Sequence, residues 1–326
     1  MSTLTINNYK LKHFDLRAKE EMEHYLKQVN VNLSDYTFSG NYVWLSTATG
    51  FYTIVNDTFC LFILNSGEMS MLLPPLGKKD NTYKAILECF EIMNTHNSNR
   101  NYSKIEYVHE NILEGFVDYL EEGTLIYEML KDFIIEKKLV DYIYKVEDLI
   151  ELKGDSYKSK RNEINKFKKI YPNYKLEILN KQKHGTDILN LFNKWVKDRT
   201  TYMPKEEVEL FLDGIYFERF AIKRLINDYE NLDLIGLVIY IDDELKGFTV
   251  GENINDDTAS IIIEKTDFEI LGCAQFIFRE FTKLLKDKYE VTYINVGDDM
   301  GFENLKKVKM SYRPNMLIPK YTIYQK

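Results

Sequence analysis

Apolar positions along the chain switch between two spacings. From Asp15 to Val29 they recur as Met22, Leu26 and Val29, which predicts a helix with Asp15 as its N-cap. Asn41–Leu45 reads as a short strand or loop. Phe51–Val55, Thr58–Leu64 and Met69–Leu73 then carry dense apolar runs, separated by the turn residues Asn56-Asp57 and Asn65-Ser66-Gly67. That is an antiparallel meander. A helix over Tyr83–Met93, a strand over Ile105–Val108 and a helix over Asn111–Glu121 follow. Beyond Ile126, Phe133-Ile134-Ile135 and Tyr142-Ile143-Tyr144 read as strands, and the residues from Lys145 to Leu152 as a turn and short helix.

The second half repeats this order. A helix from Asp155 to Tyr171 has Ile164, Phe167 and Tyr171 on one face and is stopped by Pro172. A strand at Tyr174–Leu179 and helices at Asp187–Arg199 and Lys205–Tyr229 come next. A second meander runs through Leu232–Ile241, Lys246–Glu252 and Thr258–Glu264. The helix carrying Ile277, Phe281, Leu284 and Leu285, the strand Val291–Val296 and a basic segment ending at Pro314 complete it. An antiparallel meander continued as β-α-β-α-β resembles the acetyltransferase-like (GNAT-type) acyltransferase layout. The expected fold is therefore α/β, with two tandem domains, each a mixed sheet flanked by helices, divided as 1–145 and 146–326.

Composition narrows the function. At 326 residues with 44% apolar side chains, the chain can build two full cores. Its formal net charge of −8 counts against a dedicated nucleic-acid binder and leaves room only for a local basic patch. Cys60, Cys89 and Cys273 form no C-x-x-C pair, so neither a zinc site nor a disulfide framework is expected. No signal-peptide pattern opens the chain, and the longest apolar run, Leu234–Ile241, is far too short to span a bilayer. A cytoplasmic protein with buried, reduced thiols is expected; nothing indicates its oligomeric state. His13, His24, His96, His109 and His184 are scattered and define no site.

Four stretches carry candidate chemistry. Glu269-Ile270-Leu271-Gly272-Cys273-Ala274 precedes a helix and matches the Gly-x-Ala part of a pyrophosphate-cradling loop, where Gly272 and Ala274 would let backbone amides meet an anion. Glu269 stands where a donor is expected and would repel a diphosphate, which weakens the case for coenzyme A. Glu264, Asp267, Asp298 and Asp299 gather at predicted strand ends and could serve as a general base or orient an ammonium group; solvated loop acids are the plain alternative. Cys273 in the same loop has no His beside it to activate it. Leu305 and Val308 are expected to face inward, leaving Lys306 and Lys309 on one outer face, with Arg313 just before Pro314. That cluster suits a phosphate or a tetrahedral oxyanion. Between Lys153 and Lys169 stand seven Lys and Arg, including Lys160 and Arg161, against Asp155 and Glu163: a positive face for tRNA or an anionic lipid surface, or a solvated helix.

Three segments together resemble one family. The first is Asp141-Tyr142-Ile143-Tyr144 with Lys160-Arg161-Asn162-Glu163-Ile164 and Tyr171-Pro172. The second is Gly247-Phe248, Gly251-Glu252, Asp257-Thr258-Ala259 and Ile263-Glu264-Lys265 with Asp267. The third is Asp298-Asp299-Met300-Gly301, Leu305-Lys306, Lys309 through Pro314, and Lys320-Tyr321. The set is similar to soluble bacterial proteins related to the C-terminal domain of phosphatidylglycerol lysyltransferase. Enzymes of that kind, and the related Fem-type transferases, move amino acids from aminoacyl-tRNA to a lipid hydroxyl or a peptidoglycan precursor. The resemblance implies that Lys309 and Arg313 lie near the reacting ester and that Glu264 and Asp298 line the acceptor side. Lys306 stands where an Arg is usual, and the membrane domain of the full lysyltransferases has no counterpart here. The resulting expectation is an acyl- or aminoacyltransferase working in a cleft between two halves, with no certain cofactor. Its donor is aminoacyl-tRNA or acyl-CoA, and its acceptor a lipid headgroup or a small molecule. The alternatives are an acyl-CoA-dependent N-acetyltransferase and a non-catalytic module that binds tRNA or an anionic surface.

Overall fold

A computed structural model describes residues 3–117, 133–201 and 203–326. The end of the helix expected over 111–121 and the start of the segment from Ile126 lie outside them. In chain order the strands are β1 (Leu4–Ile6), β2 (Tyr9–His13), β3 (Thr49–Val55), β4 (Thr58–Asn65), β5 (Glu68–Met71), β6 (Lys104–His109), β7 (Phe133–Lys145), β8 (Lys175–Ile178), β9 (Leu234–Ile241), β10 (Glu244–Asn253), β11 (Thr258–Thr266), β12 (Tyr293–Asn295) and β13 (Met316–Gln325). The helices are α1 (Lys19–Leu26), α2 (Phe38–Trp44), α3 (Lys79–His96), α4 (Glu110–Val117), α5 (Val146–Glu151), α6 (Lys158–Ile170), α7 (Lys181–Thr201), α8 (Lys205–Asp228), α9 (Cys273–Tyr289) and α10 (Glu303–Met310).

Two compact units form. The first comprises Met1–Asp141, Asp298–Phe302 and Leu317–Lys326; the second comprises Tyr142–Gly297 and Glu303–Met316. The chain thus leaves the first unit at Asp141 and returns to it twice.

In the first unit β2, β3, β4 and β5 are antiparallel neighbours, β5 pairs parallel with β6 across α3, and β13 lies antiparallel to β6. Apolar side chains of β3, β4 and β6 meet Tyr83, Ile86, Phe90 and Met93 on the inner stripe of α3. In the second unit β8 to β11 are antiparallel, β11 pairs parallel with β12 across α9, and β12 pairs antiparallel with the end of β7. Ile235, Leu237, Ile239 and Ile241 of β9 pack on Phe276, Ile277, Phe281 and Leu285 of α9 and on Ile164 and Phe167 of α6. Each unit therefore runs from an antiparallel meander into one parallel step over a helix, the acetyltransferase-like α/β order expected from the pattern.

Three expectations are corrected. Asn41–Leu45 belongs to the helix α2, whose N-cap Thr37 accepts from the Gly40 amide. The separate strands at 133–135 and 142–144 are one strand, β7. Val308 is 54% exposed: α10 buries no residue, and Leu305 with Lys309, four apart, forms its inner side. Lys309 and Lys306 therefore do not share a face. The exposed Lys306 instead lies 3.6 Å from Glu303.

Candidate functional site

The site of most chemical interest lies in the second unit, near the end of β11. In the pairing of β11 with β10, Val250 faces Ile263 while Gly251 faces Ile261, so Ile262 is an extra residue, a β-bulge. Simple alternation from Ala259, which packs under α9, would put Glu264 on the far side of the sheet. The bulge reverses this. Glu264 is the register partner of Thr249, and Thr249 that of Leu237, which belongs to the core beneath α9.

There Glu264 Oε2 and, on the neighbouring strand, Thr249 Oγ1 are buried beside each other. Burial pushes the Glu264 carboxyl up to about 8; a hydrogen-bonding contact with the Thr249 hydroxyl and the charge of Lys265 act in the opposite sense without offsetting it. Tyr312 stands close enough to feel the Glu264 charge, and burial above all holds its hydroxyl neutral. Its ring packs edge-on against Phe278 at 5.0 Å and Tyr144 at 6.2 Å. Lys160 Nζ lies 4.3 Å from the centre of that ring, and burial lowers its pKa.

The other expected residues divide by role. Gly272 has φ +76°, and a Cβ there would sit 2.4 Å from the Glu163 carbonyl oxygen and 3.1 Å from Phe167 Cβ. Its glycine is thus required by the approach of α6. Glu269 is exposed and 3.0 Å from Lys194, which also holds Asp267 at 3.1 Å. Ala274 follows in the first turn of α9. Cys273 is buried, and burial raises its thiol far above the ordinary range, so it is no thiolate nucleophile. Arg161 donates to the carbonyls of Leu152 and Gly154, capping the end of α5. Lys309 Nζ donates to the carbonyls of Val296, 2.6 Å, and Gly297, 3.1 Å, while its own carbonyl accepts from Tyr144 Oη at 2.9 Å. Arg313 is exposed in a left-handed turn, φ +57°. The second unit therefore brings both Glu264 and Lys160 near Tyr312, and gives Lys309 a backbone-holding role. Asp298 belongs to the first unit, where its Oδ2 lies 3.0 Å from Lys320 Nζ. Thr249 and Tyr312 had no role from sequence alone. A Thr at a strand centre and a Tyr in a basic tail carry no signal until register and packing set them beside Glu264.

A separate feature lines the outer face of α6. Lys158, Ser159, Asn162, Asn165, Lys166 and Lys169 edge an open groove with Glu163, and the three lysines make no ion pair among the described residues. They extend along about 16 Å of helix. Among the described residues no group of His, Cys, Asp and Glu side chains is arranged to hold a metal ion, and no helix is long and apolar enough to cross a membrane.

Comparison with known proteins bears on this geometry. The profile of the family described as phosphatidylglycerol lysyltransferase, C-terminal, matches residues 27–324. The chain belongs to that family. An uncharacterized protein of Mycoplasmoides gallisepticum is 27% identical over 193 residues, which is 58% of each chain, so the match spans little more than half of that relative. A conserved protein of unknown function from Bacteroides thetaiotaomicron has a solved structure with a TM-score of 0.80 at 25% identity, covering 99% of this chain and 100% of that one. The structure of L-PGS from Bacillus licheniformis superposes with a TM-score of 0.61 at 14% identity, over 94% of this chain and 91% of that one; it shares the fold. The lysyltransferase-family chain thus carries an acetyltransferase-like fold of the transferase kind, with Glu264 facing α9 in its second unit.

Proposed function

We propose that the protein is an aminoacyltransferase that moves an activated aminoacyl group from tRNA to a hydroxyl or amine acceptor, with Glu264 as the general base. The observation that carries this reading is the desolvated carboxyl of the half-buried Glu264, whose Oε2 is buried beside Thr249 and near Tyr312. A carboxyl raised to about 8 keeps its proton in most molecules at neutral pH; its ionised form, which grows as pH rises towards 8, is the base, and it is a stronger one than an ordinary carboxylate. The acceptor's O–H or N–H would donate to Oε2 and lose its proton to it as the nucleophile bonds to the ester carbonyl carbon. The tetrahedral adduct then collapses, the C–O bond to the tRNA ribose breaks, and the leaving ribose oxygen takes the proton that Glu264 removed from the acceptor. Tyr312, held neutral, can donate to the developing oxyanion. Arg313 is available for a phosphate, and Lys309 fixes the segment at Val296 and Gly297. The lysines of α6 favour a polyanionic donor, because they stand unneutralised in a chain of net charge −8.

The acyl-CoA reading fits less well. At Gly272 the space that a close pyrophosphate approach would need is taken by the Glu163 carbonyl, and Glu269 adds a carboxylate to the same loop.

The test follows label from tRNA charged with a radioactive amino-acid mixture into phosphatidylglycerol vesicles or a panel of small amines. Label transfer that falls at least about 100-fold in Glu264→Gln supports the reading. Transfer from acetyl-CoA without any tRNA dependence, or an unimpaired Glu264→Gln enzyme, refutes it.

A further inference from the structure

The first unit contains a second cluster of buried charge. Lys320, in β13, is 1% exposed. Its Nζ lies 2.5 Å from Asp35 Oδ2, 2.8 Å from Asp141 Oδ1 and 3.0 Å from Asp298 Oδ2. Each of these carboxylates comes from a different stretch of chain, and two of them mark crossings. Asp141 is the last residue before the chain leaves the first unit, and Asp298 is the residue at which it first returns. The final return, at Leu317, is three residues before Lys320 itself.

The carboxylates are also tied to local backbone. Asp141 Oδ2 accepts from the amide and hydroxyl of Ser34, both at 2.8 Å, and Asp298 Oδ1 accepts from the Met300 amide at 2.8 Å. A fourth element closes the cluster. The register of β13 on β6 shifts between Tyr321 and Ile323, leaving Glu106 and Tyr107 opposite the single Thr322. Tyr107 adopts φ +50°, a conformation in which a bulky side chain is strained. That turn sets its ring 4.8 Å from Lys320 Nζ, and its carbonyl accepts from Tyr36 Oη at 2.9 Å.

We propose that Lys320 is a charge clasp fixing the points where the chain leaves and re-enters the first unit, and that the clasp tightens as its surplus negative charge is removed. With all three acids ionised, three carboxylates face one ammonium, a surplus of two negative charges in a desolvated setting. Among the described residues, the other titratable groups placed at the cluster are two tyrosines, a glutamate and a histidine. Tyr36 and Tyr107 are held neutral, chiefly by burial; Glu106 belongs to the bulge; and His109, the register partner of Lys320, uses Nδ1 to accept from the Asn111 amide. Asp35 takes up the strain. Burial first, then Asp141 and Asp298, raise its carboxyl to about 6 against the pull of Lys320. A raised folded-state value means that the proton stabilises the fold. This stabilisation is fully present below the ordinary Asp value and is lost as pH rises through about 6.

Two variants and one readout test the clasp, using the full chain and amide hydrogen exchange followed by mass spectrometry from pH 5 to 8. Lys320→Met leaves three carboxylates without their cation, so peptides spanning 34–36, 139–142 and 296–300 should exchange at least tenfold faster while those from α9 stay unchanged. Asp35→Asn removes one surplus charge and keeps the shape. Protection factors of the same peptides, corrected for the intrinsic pH dependence of amide exchange, should rise at pH 7.5, and the fall in protection expected in the parent between pH 5 and 7 should disappear. If Lys320→Met does not fold, the Asp35→Asn comparison decides. Unchanged exchange in these peptides with Lys320→Met, or an Asp35→Asn protein that keeps the parent's pH dependence, overturns the proposal.

Discussion

Two side chains concentrate the chemistry of this molecule, and both are acids in surroundings that resist their charge. Glu264 is raised to about 8, so its proton stabilises the folded state below the ordinary Glu value, and that contribution is lost as pH rises through about 8. Urea unfolding should therefore show stability falling between pH 7 and 9, and Glu264→Gln should flatten that decline; a parent curve level across this range contradicts the burial argument. Gly272 carries a different constraint. Replacing it by Ala adds a Cβ 2.4 Å from the Glu163 carbonyl at φ +76°, and the substitution should cost about 2 kcal/mol or more, read as a lower urea midpoint at unchanged slope. Residue types at these positions were legible in the sequence, but their states were not. A Glu at a strand end reads as solvated until its oxygen is found buried, and the Gly of a loop reads as a ligand cradle until a helix is found pressed against it.

At the scale of elements, β11 shows how one residue redirects a site. Ile262 is extra in its ladder, and every residue after it changes face. Deleting Ile262 should restore plain alternation, turn Glu264 away from α9 and abolish any activity that depends on it; circular dichroism should still show a folded protein, with a lower melting temperature. On the helix that packs above, Phe281 is fully buried against β9 and β10, and Phe281→Ala should cost about 3–5 kcal/mol. The periodicity of α9 was legible because its apolar stripe repeats at helical spacing over seventeen residues. α2 was missed for the opposite reason: Phe38–Trp44 is short and mixes aromatic, Asn and Gly residues, and its Thr37 cap lies outside the apolar run.

Over the whole molecule, the charge is uneven. A chain of net −8 leaves Lys158, Lys166 and Lys169 unneutralised on one face of α6, whereas Lys160 and Arg161 of the same helix are turned to Tyr312 and to the end of α5. Binding of an uncharged tRNA should weaken with salt. Replacing the three outer lysines by Gln should reduce the slope of log affinity against log salt by about 2, since each lost phosphate contact removes roughly 0.7. An unchanged slope would remove α6 from the binding face and leave the role of Glu264 untested by that experiment but open to the transfer assay. The division into units is the other global property. The first unit gains Asp298–Phe302 and Leu317–Lys326 from the far end of the chain because β13 pairs with β6 and Lys320 meets Asp35 and Asp141.

By itself the sequence determined the succession of meanders and crossover helices, the existence of two apolar cores, the acidic total charge and the family resemblance. These are properties of local spacing and composition, and spacing along a chain is what a sequence records. Tertiary structure alone decided which acids are burdened and which cations are spent. Lys309 and Arg161 became backbone ligands, Lys160 an aromatic neighbour, Asp298 an ion-pair partner and Glu264 a desolvated carboxyl. The physical reason is that desolvation and pairing depend on atoms brought together from distant parts of the chain. A one-residue bulge or a left-handed tyrosine changes that meeting without leaving a mark in the pattern of residues.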